Sequence, residues 1–236
     1  MKHKFSAALL ALVMSASVTG CLDSGKSSSK VAEIPTQATV SATEGETAAE
    51  EGGSAEISES MELMRLKYAD TPALESGPVI KLSNTSAKPG EMAEVTVSIT
   101  GAEKKWNMCG IHITYPEVLK CKLADEEELM ADFEPGEAIK ANAGFIAMDW
   151  QKNLAPELER DHKRSVFFTT MFTDNGGKDG NIVTFFFKIP DDAQPGTVYD
   201  LGYYYMDTDM FRNQENDMSF EKYAFEHLEG GSITVR

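Results

Sequence analysis

The side chains that could perform acid–base or metal chemistry are scattered along this sequence. His3 lies near the N-terminus, His112 in an apolar run, His162 in a charged stretch, and His227 in a segment rich in acidic and aromatic residues. None has the spacing of a zinc site. The sequence contains no nucleophile elbow, phosphate-binding glycine loop or HExxH motif. We therefore expect a non-catalytic protein that uses no cofactor.

The 38 acidic residues single out neither a catalytic pair nor a calcium site. So many carboxylates always leave some pairs, and the sequence alone does not exclude glycoside hydrolysis. Asp207, Asp209 and Asn213 suggest calcium ligands, but Arg212 stands where an EF-hand loop that begins at Asp207 needs glycine. We expect no bound metal.

Cys21 is the cysteine whose surroundings indicate a chemical role. Two lysines precede an uncharged apolar run at residues 5–18, which is shorter than the ~20 residues that span a bilayer and is typical of a signal peptide. The string VTGC at 18–21 resembles the bacterial lipobox, whose cysteine receives a diacylglycerol and becomes the mature N-terminus. We predict a signal peptide at 1–20 and lipidation of Cys21; an ordinary signal peptide that ends near a cysteine is the alternative.

The charge balance excludes whole classes of partner. Cleavage before Cys21 removes Lys2 and Lys4, so that 20 basic residues face 38 acidic residues and the formal charge falls from −16 to −18. Such a charge argues against binding to nucleic acid and against electrostatic adhesion to an anionic membrane. Membrane attachment would depend on the lipid, and two or more acyl chains are needed to hold it.

The segment after Cys21 has the composition of a stalk. Residues 22–60 are mainly Ser, Thr, Ala, Gly and Glu, and such a stretch cannot bury enough apolar surface to offset its ordering entropy. We assign 21–76 to the lipid-bearing cysteine and a disordered acidic linker, and 77–236 to a folded domain. Residues 61–68 have the spacing of a short helix, which either packs on the domain or forms a loose lead-in.

From Pro78 onward, short β-prone runs are separated by turn residues. Residues 93–100 alternate, with Val95, Val97 and Ile99 on one face, which predicts a half-buried strand. No βαβ rhythm is present, so we predict an all-β fold of nine strands, either a sandwich or a jelly roll, with one short helical insertion. The other eight strands are predicted at 79–85, 107–115, 119–123, 143–150, 165–173, 182–189, 198–206 and 232–236.

Two insertions interrupt the strands. The charged segment at 149–164 is interpreted as a long loop, and 217–229 as a short helix capped by Asp217 or Ser219 and ended by Gly230. Cys109 and Cys121 lie on consecutive predicted strands, where either a disulfide or two free buried thiols would be compatible with the sequence.

Four strings in order resemble a bacterial cohesin domain, the receptor module that binds dockerins in cellulosomes. They are SAKPGE (86–91), ITYPEVLKCKL (113–123), DGNIVTFFFKIPDDAQPGTVYDL (179–201) and GGSITV (230–235). The long segments before Ser165 and at 217–229 look more like the divergent cohesins of rumen ruminococci. The resemblance implies a nine-stranded β-sandwich of jelly-roll topology. It also implies a stand-alone receptor for dockerins on scaffolding proteins or enzymes.

The resemblance also implies a binding face, formed by the eighth, third, sixth and fifth strands. By match to the family, the odd-numbered residues of 107–113 would face the partner; the alternative orientation puts them in the core and turns His112 and Thr114 outward. Met210 and Phe211 resemble cohesin contact residues, although Phe211 could instead cover the core under the 217–229 helix. The predicted partner-binding set is Asn107, Cys109, Ile111, Ile113, Phe145, Ala147, Met171, Thr173, Tyr203, Tyr205, Met210 and Phe211.

A second hypothesis is a carbohydrate-binding module of the same architecture, held on a surface lipoprotein. In it, Trp106, Trp150 or the tyrosines at 203–205 would stack on sugar rings. A lipoprotein with a purely structural or assembly role is the third possibility.

Overall fold

The computed structural model describes residues 58–139, 141, 143–150 and 155–236 of the 236-residue chain. The predicted signal peptide, Cys21 and most of the predicted stalk lie outside the described residues. The described part contains the helices α1 (Glu59–Lys67), α2 (Pro156–Arg160) and α3 (Met218–Glu226). Within that part, every helix is too short or too polar to cross a membrane.

Fifteen strands occur in the same described part. They are β1 (Val79–Leu82), β2 (Asn84–Ala87), β3 (Met92–Thr100), β4 (Met108–Pro116), β5 (Lys120–Cys121), β6 (Leu123–Asp125), β7 (Met130–Ala131), β8 (Phe133–Pro135), β9 (Gly144–Trp150), β10 (Lys163–Met171), β11 (Gly180–Lys188), β12 (Val198–Tyr203), β13 (Met210–Arg212), β14 (Leu228–Glu229) and β15 (Gly231–Val235).

The strands form two sheets around one core, which confirms the predicted all-β sandwich. The six-stranded sheet has the order β14-β1-β3-β11-β5, and β8 also pairs with β11. The nine-stranded sheet has the order β2-β15-β12-β4-β10-β9-β7-β6, and β13 also pairs with β4. The strand pairs β1–β14 and β2–β15 are parallel, and the central pairs β3–β11, β4–β10 and β9–β10 are antiparallel.

The strand count exceeds nine because two predicted runs divide and four short strands are present in addition. The run at 79–85 becomes β1 and β2, which join different sheets, and the run at 119–123 divides in the same way into β5 and β6. Strands β7, β8, β13 and β14 have two or three residues each, which is too short for a periodic pattern to show.

The core forms between the inner faces of the two sheets. On β3, Val95, Val97 and Ile99 are fully buried, as the alternation predicted. Across the core, the ring of Phe168 on β10 lies 5.9 Å from that of Phe185 on β11. Burial of each such side chain contributes roughly 1.5–3 kcal/mol, which makes this layer the main source of stability.

The predicted helical insertion is present as α3. The carboxylate of Asp217 caps the helix by accepting hydrogen bonds from the backbone N–H groups of Ser219 at 2.9 Å and Phe220 at 3.4 Å. The helix ends at Glu226, before Gly230, because the chain enters β14 at Leu228.

Residues 61–67 lie in α1 and Tyr68 is its C-cap, and the helix packs on the domain. Ser58 caps it, with its Oγ accepting a hydrogen bond from the N–H of Met61 at 3.2 Å. Met64 and Tyr68 are buried in the same core as the strands. The packed structure therefore already includes residues upstream of position 77, the predicted start of the domain.

The predicted loop at 149–164 contains the short helix α2. Pro156 occupies its first turn, a position that suits proline because the first helical N–H groups have no intrahelical partner. Glu157 is buried and accepts a hydrogen bond from the hydroxyl of Tyr204 at 3.1 Å. This helix corrects the prediction of a continuous loop.

Cys109 and Cys121 are free and buried, so the structure decides between the two alternatives for these residues. Burial raises the pKa of both thiols, and the nearby carboxylate of Asp209 raises that of Cys109 further. Both thiols therefore remain protonated and poorly reactive at neutral pH.

Candidate partner-binding face

Strand β4 lies in the middle of the nine-stranded sheet, and its side chains alternate between the two faces. Cys109, Ile111 and Ile113 point into the core and are at most 1% exposed. This corrects the predicted orientation, in which the same residues faced a partner. His112 and Thr114 lie on the outer face, as the alternative orientation required.

The error came from the match to the family strand, because the residue types of β4, with isoleucine at 111 and 113 and polar His112 and Thr114 between and after them, favour the observed orientation. His112 and Thr114 are also buried, at 2% and 4% exposure, because other segments pack over them.

The correction extends to the neighbouring strands. Ala147 is fully buried, and Phe145 is half-buried with its ring parallel to that of Phe168 at 5.7 Å. Tyr203 and Tyr205 bury their hydroxyl groups. These four predicted contact residues belong to the core.

Phe211 is also a core residue. It is fully buried, and its ring centroid lies 5.5 Å from both Trp106 and Phe220. Phe211 therefore covers the core under the helix at 217–229, which was the second possibility for this residue. Met210, next to it on β13, points the opposite way.

The outer face of the nine-stranded sheet is apolar and rich in methionine. In register, Met108 of β4 lies opposite Met171 of β10, and Met148 of β9 lies opposite both Phe167 of β10 and Met130 of β7. Ile146 and Met171 are 49% and 51% exposed. We define the methionine face as Met108, Met130, Ile146, Met148, Phe167, Met171 and Met210.

Gly110 has no side chain, so β4 projects nothing from the sheet at the middle of this face. It lies opposite Thr169 on β10 and Met210 on β13. A Cβ atom at this position would lie 3.2 Å from Oγ1 of Thr169 and 3.5 Å from Cγ of Met210. The side chain of Met210 therefore lies over Gly110 of β4, on the outer surface of the sheet.

A buried polar pair lies on the same side of the sheet. Nδ1 of His112 is 2.6 Å from Oδ1 of Asp209, and the other carboxylate oxygen accepts a hydrogen bond from the N–H of Met206 at 3.2 Å. The imidazole packs against Phe167 and Trp150, with centroids 4.6 and 5.3 Å away. Burial raises the pKa of Asp209, whereas the hydrogen bond between its carboxylate and His112 acts to lower it.

Two of the predicted contact residues lie on the methionine face, namely Met171 and Met210. Thr173 is exposed just beyond the end of β10. Asn107 is half-buried, and its side chain donates a hydrogen bond to the carbonyl of Phe172 at 3.3 Å, which joins the ends of two strands.

The prediction missed five residues of the face, which are Met108, Met130, Ile146, Met148 and Phe167. A signal for part of the set exists in the string FIAMDW at 145–150, where every second residue from Ile146 is large and apolar. The string has apolar residues at both parities, and only the register with β10 assigns them to faces.

The aromatic residues considered for sugar stacking do not form an exposed platform. Trp106 is fully buried and donates its indole N–H to the carbonyl of Lys178 at 3.2 Å. Trp150 is half-buried, and its ring packs perpendicular to that of His112. Nor do the described residues contain a group of three or more His, Cys, Asp or Glu arranged to hold a metal ion.

Comparison with known proteins identifies the fold. No protein-family model and no curated protein matches the sequence. Among solved structures, a type III cohesin module from the ScaE cell-surface anchoring scaffoldin of Ruminococcus flavefaciens is similar, with 25% sequence identity and a TM-score of 0.54. The match covers 71% of this chain and 91% of that chain.

Two weaker matches are also cohesins. One is the type I cohesin of the Coh-OlpA–Doc918 cohesin–dockerin complex from Clostridium thermocellum, with 16% identity, a TM-score of 0.47, and coverage of 68% of this chain and 100% of that one. The other is a type II cohesin domain from Acetivibrio cellulolyticus, with 13% identity, a TM-score of 0.48, and coverage of 67% and 95%. The match to the type III module, together with the sheet order and the strings quoted above, shows that the described part of this chain has the cohesin fold.

Proposed function

We propose that this protein is a non-catalytic, cell-surface cohesin that binds a dockerin module of a scaffolding protein or enzyme through the methionine face. The observation that carries the proposal is this apolar face on a cohesin fold. The face lies on β13, β4, β10, β9 and β7. Three of these, namely β4, β10 and β9, correspond to strands that the cohesin resemblance implies for partner binding.

The chemistry of the face suits a protein partner. Methionine side chains are flexible and polarisable, so they adapt to the shape of an apolar partner surface. Contiguous exposed apolar side chains are a common mark of an interaction site, and methionine is enriched at interface centres. The sheet beneath them is rigid and has no side chain at Gly110, so a helix or a strand of a partner could pack closely against it.

We further propose that the chain is exported and held at the membrane by a lipid on Cys21, with the acidic linker as spacer. The apolar run at 5–18 and the lipobox-like VTGC string support this attachment. The similar type III module comes from a cell-surface anchoring scaffoldin, which is consistent with the proposed location.

A binding assay with dockerin modules encoded in the same genome tests the partner class. The chain from residue 21 onward would carry Cys21→Ser, and each dockerin would be titrated by calorimetry. We expect saturable binding to at least one member of the panel. Absence of binding to every member would contradict the proposal.

Charge insertion tests the position of the site. We expect Met171→Asp and Ile146→Asp to weaken binding by at least ~2 kcal/mol, because each places a carboxylate against an apolar partner. Val118→Asp is the matched control, since Val118 is 54% exposed and lies in the turn between β4 and β5. If the control weakens binding as much as the two face variants, the site lies elsewhere.

Membrane attachment has its own test. Cells that express the full chain should incorporate labelled fatty acid into the protein, and Cys21→Ser should abolish both the label and membrane fractionation. Retention of the label in that variant would contradict lipidation at Cys21.

A further inference from the structure

The segment between β12 and β13 borders the methionine face, and a side chain of α1 holds its backbone. Strand β12 ends at Tyr203 and β13 begins at Met210. Within the gap, the N–H of Tyr205 donates to Oγ of Ser60 at 2.7 Å, and the Ser60 hydroxyl donates to the Tyr205 carbonyl at 3.1 Å. One buried serine therefore satisfies both backbone groups of Tyr205, as a neighbouring strand would.

A second connection runs from α1 to β13 through α3. Glu221 of α3 is buried, with a side chain only 2% exposed. Its Oε1 accepts a hydrogen bond from the hydroxyl of Tyr68 at 2.7 Å and lies 3.2 Å from Nζ of Lys67. Its Oε2 accepts a hydrogen bond from Nε of Arg212 at 2.9 Å. One carboxylate thus links the C-terminal end of α1 to the strand that carries Met210.

Aromatic packing completes the contact. The ring of Tyr68 lies 6.5 Å from that of Tyr205 and 6.3 Å from that of Phe225, and the last two rings are 5.0 Å apart. Burial raises the pKa of the Tyr68 hydroxyl, which therefore stays protonated and donates to Glu221.

We propose that α1 is a latch that positions the 204–212 segment for partner binding, with Ser60, Lys67 and Tyr68 as positioning residues. The inference rests on the proposed function, because the segment matters to a partner only if the methionine face is the binding site. None of the three latch residues lies on that face; they act through Tyr205, Glu221 and Arg212.

Loss of the latch has a defined physical effect. Without Lys67 and Tyr68, Arg212 is the remaining partner of the buried Glu221 carboxylate. Because a buried charge that lacks partners is strongly destabilising, the residues around Glu221 would rearrange. Without the Ser60 hydroxyl, the N–H and carbonyl of Tyr205 lose their partners. In both cases the segment that holds Met210 over Gly110 becomes free to move.

Hydrogen exchange of the full chain tests the latch without any partner. We expect Ser60→Ala and Lys67→Met to speed amide exchange in 205–212 by at least about fivefold, while 144–150 and 165–171 keep their protection. Arg65→Met is the matched control on the same helix, since the Arg65 side chain is 67% exposed and pairs with Glu62 of the same helix. The conservative variant Lys67→Arg, which keeps the positive charge beside Glu221, should show the same protection of 205–212 as the unmodified chain.

Affinity for a dockerin identified by the panel gives the second readout. We expect the two latch variants to bind at least about fivefold more weakly, mainly through faster dissociation, and their effects to be non-additive with that of Met210→Ala. A helix with a purely structural role would give additive effects. Unchanged exchange in 205–212 in both latch variants, or additivity in the cycle, would overturn the latch. If the unmodified chain binds no dockerin, the proposed function fails and the exchange result alone decides the latch.

Discussion

His112 and Asp209 form a buried hydrogen-bonded pair, with Nδ1 and Oδ1 2.6 Å apart, on the outer side of the nine-stranded sheet. The pair ties the segment after β12 to the middle of β4, next to the face proposed to bind a partner. Since Asp209 also accepts the N–H of Met206, its carboxylate satisfies both a side chain and the backbone of that segment.

Asp209→Ala should therefore lower the free energy of unfolding by about 1–3 kcal/mol, because it leaves the partners of a buried carboxylate unsatisfied. Urea unfolding followed by tryptophan fluorescence measures this. Asp207→Ala is the control, since Asp207 is exposed two residues away. Equal unfolding free energies for the two variants would show that the pair contributes nothing.

The same carboxyl predicts a pH dependence with a definite sign. Burial raises its pKa above the ordinary value of 3.8, so the folded state keeps this proton at a pH where the unfolded chain has released it. The stability contribution of this group is then largest below pH 3.8 and declines as the pH rises from there through the folded pKa. The difference in unfolding free energy between wild type and Asp209→Ala should shrink over that window, and growth of the difference would contradict the assignment.

Met210 and Phe211 are adjacent but should respond differently to truncation. Phe211→Ala should cost about 3–5 kcal/mol of stability, because the ring is fully buried between Trp106 and Phe220. Met210→Ala should leave stability nearly unchanged and weaken partner binding by about 1–2 kcal/mol. Thermal melting and calorimetry on the same samples separate the two effects; a stability loss in Met210→Ala as large as that of Phe211→Ala would refute the orientation of β13.

Mild peroxide treatment should reduce partner binding while the fold is retained. Oxidation converts methionine to a polar sulfoxide, and Met171 at 51% exposure is the member of the face most open to the reagent. Mass spectrometry would locate the modified methionines before titration. Full affinity after modification of Met171 would count against its place in the interface.

Reducing agents should leave the melting temperature unchanged. Cys109 and Cys121 are free and buried, so no disulfide in the described domain is available to be reduced. A scan with and without dithiothreitol, together with a thiol count under denaturing conditions, checks this. A lower melting temperature in the reduced sample would indicate a bridge.

The accuracy of the sequence prediction varied with how differently the two faces of each strand are solvated. On β3, polar residues alternate with Val95, Val97 and Ile99, so the sequence alone identified the core side. On β9, apolar residues occur at both parities, and only pairing with β10 assigns them to faces. On β4, the apolar residues at odd positions are the buried ones, and the match to the family strand placed them on the wrong face. The sheet that carries the candidate site was predictable, whereas the face was not.

Local signals were reliable where they depend on chemistry within one turn. The cap at Asp217 located α3, since the capping carboxylate lies two and three residues from its donors. The role of Ser60 could not be predicted, because its partner Tyr205 is 145 residues away. Trp106 illustrates the same limit, as its burial depends on Phe172 and Phe211.

The position of α1 also decides how mechanical load would enter the domain. A chain held at its N-terminal end transmits a pull through residue 58 to α1 before it reaches β1. The first contacts to bear that tension are side-chain contacts, namely Ser60 with Tyr205 and the ends of Lys67 and Tyr68 with Glu221. Under the proposed attachment, tension would thus reach the segment beside Met210 before it strains the backbone hydrogen bonds between the strands.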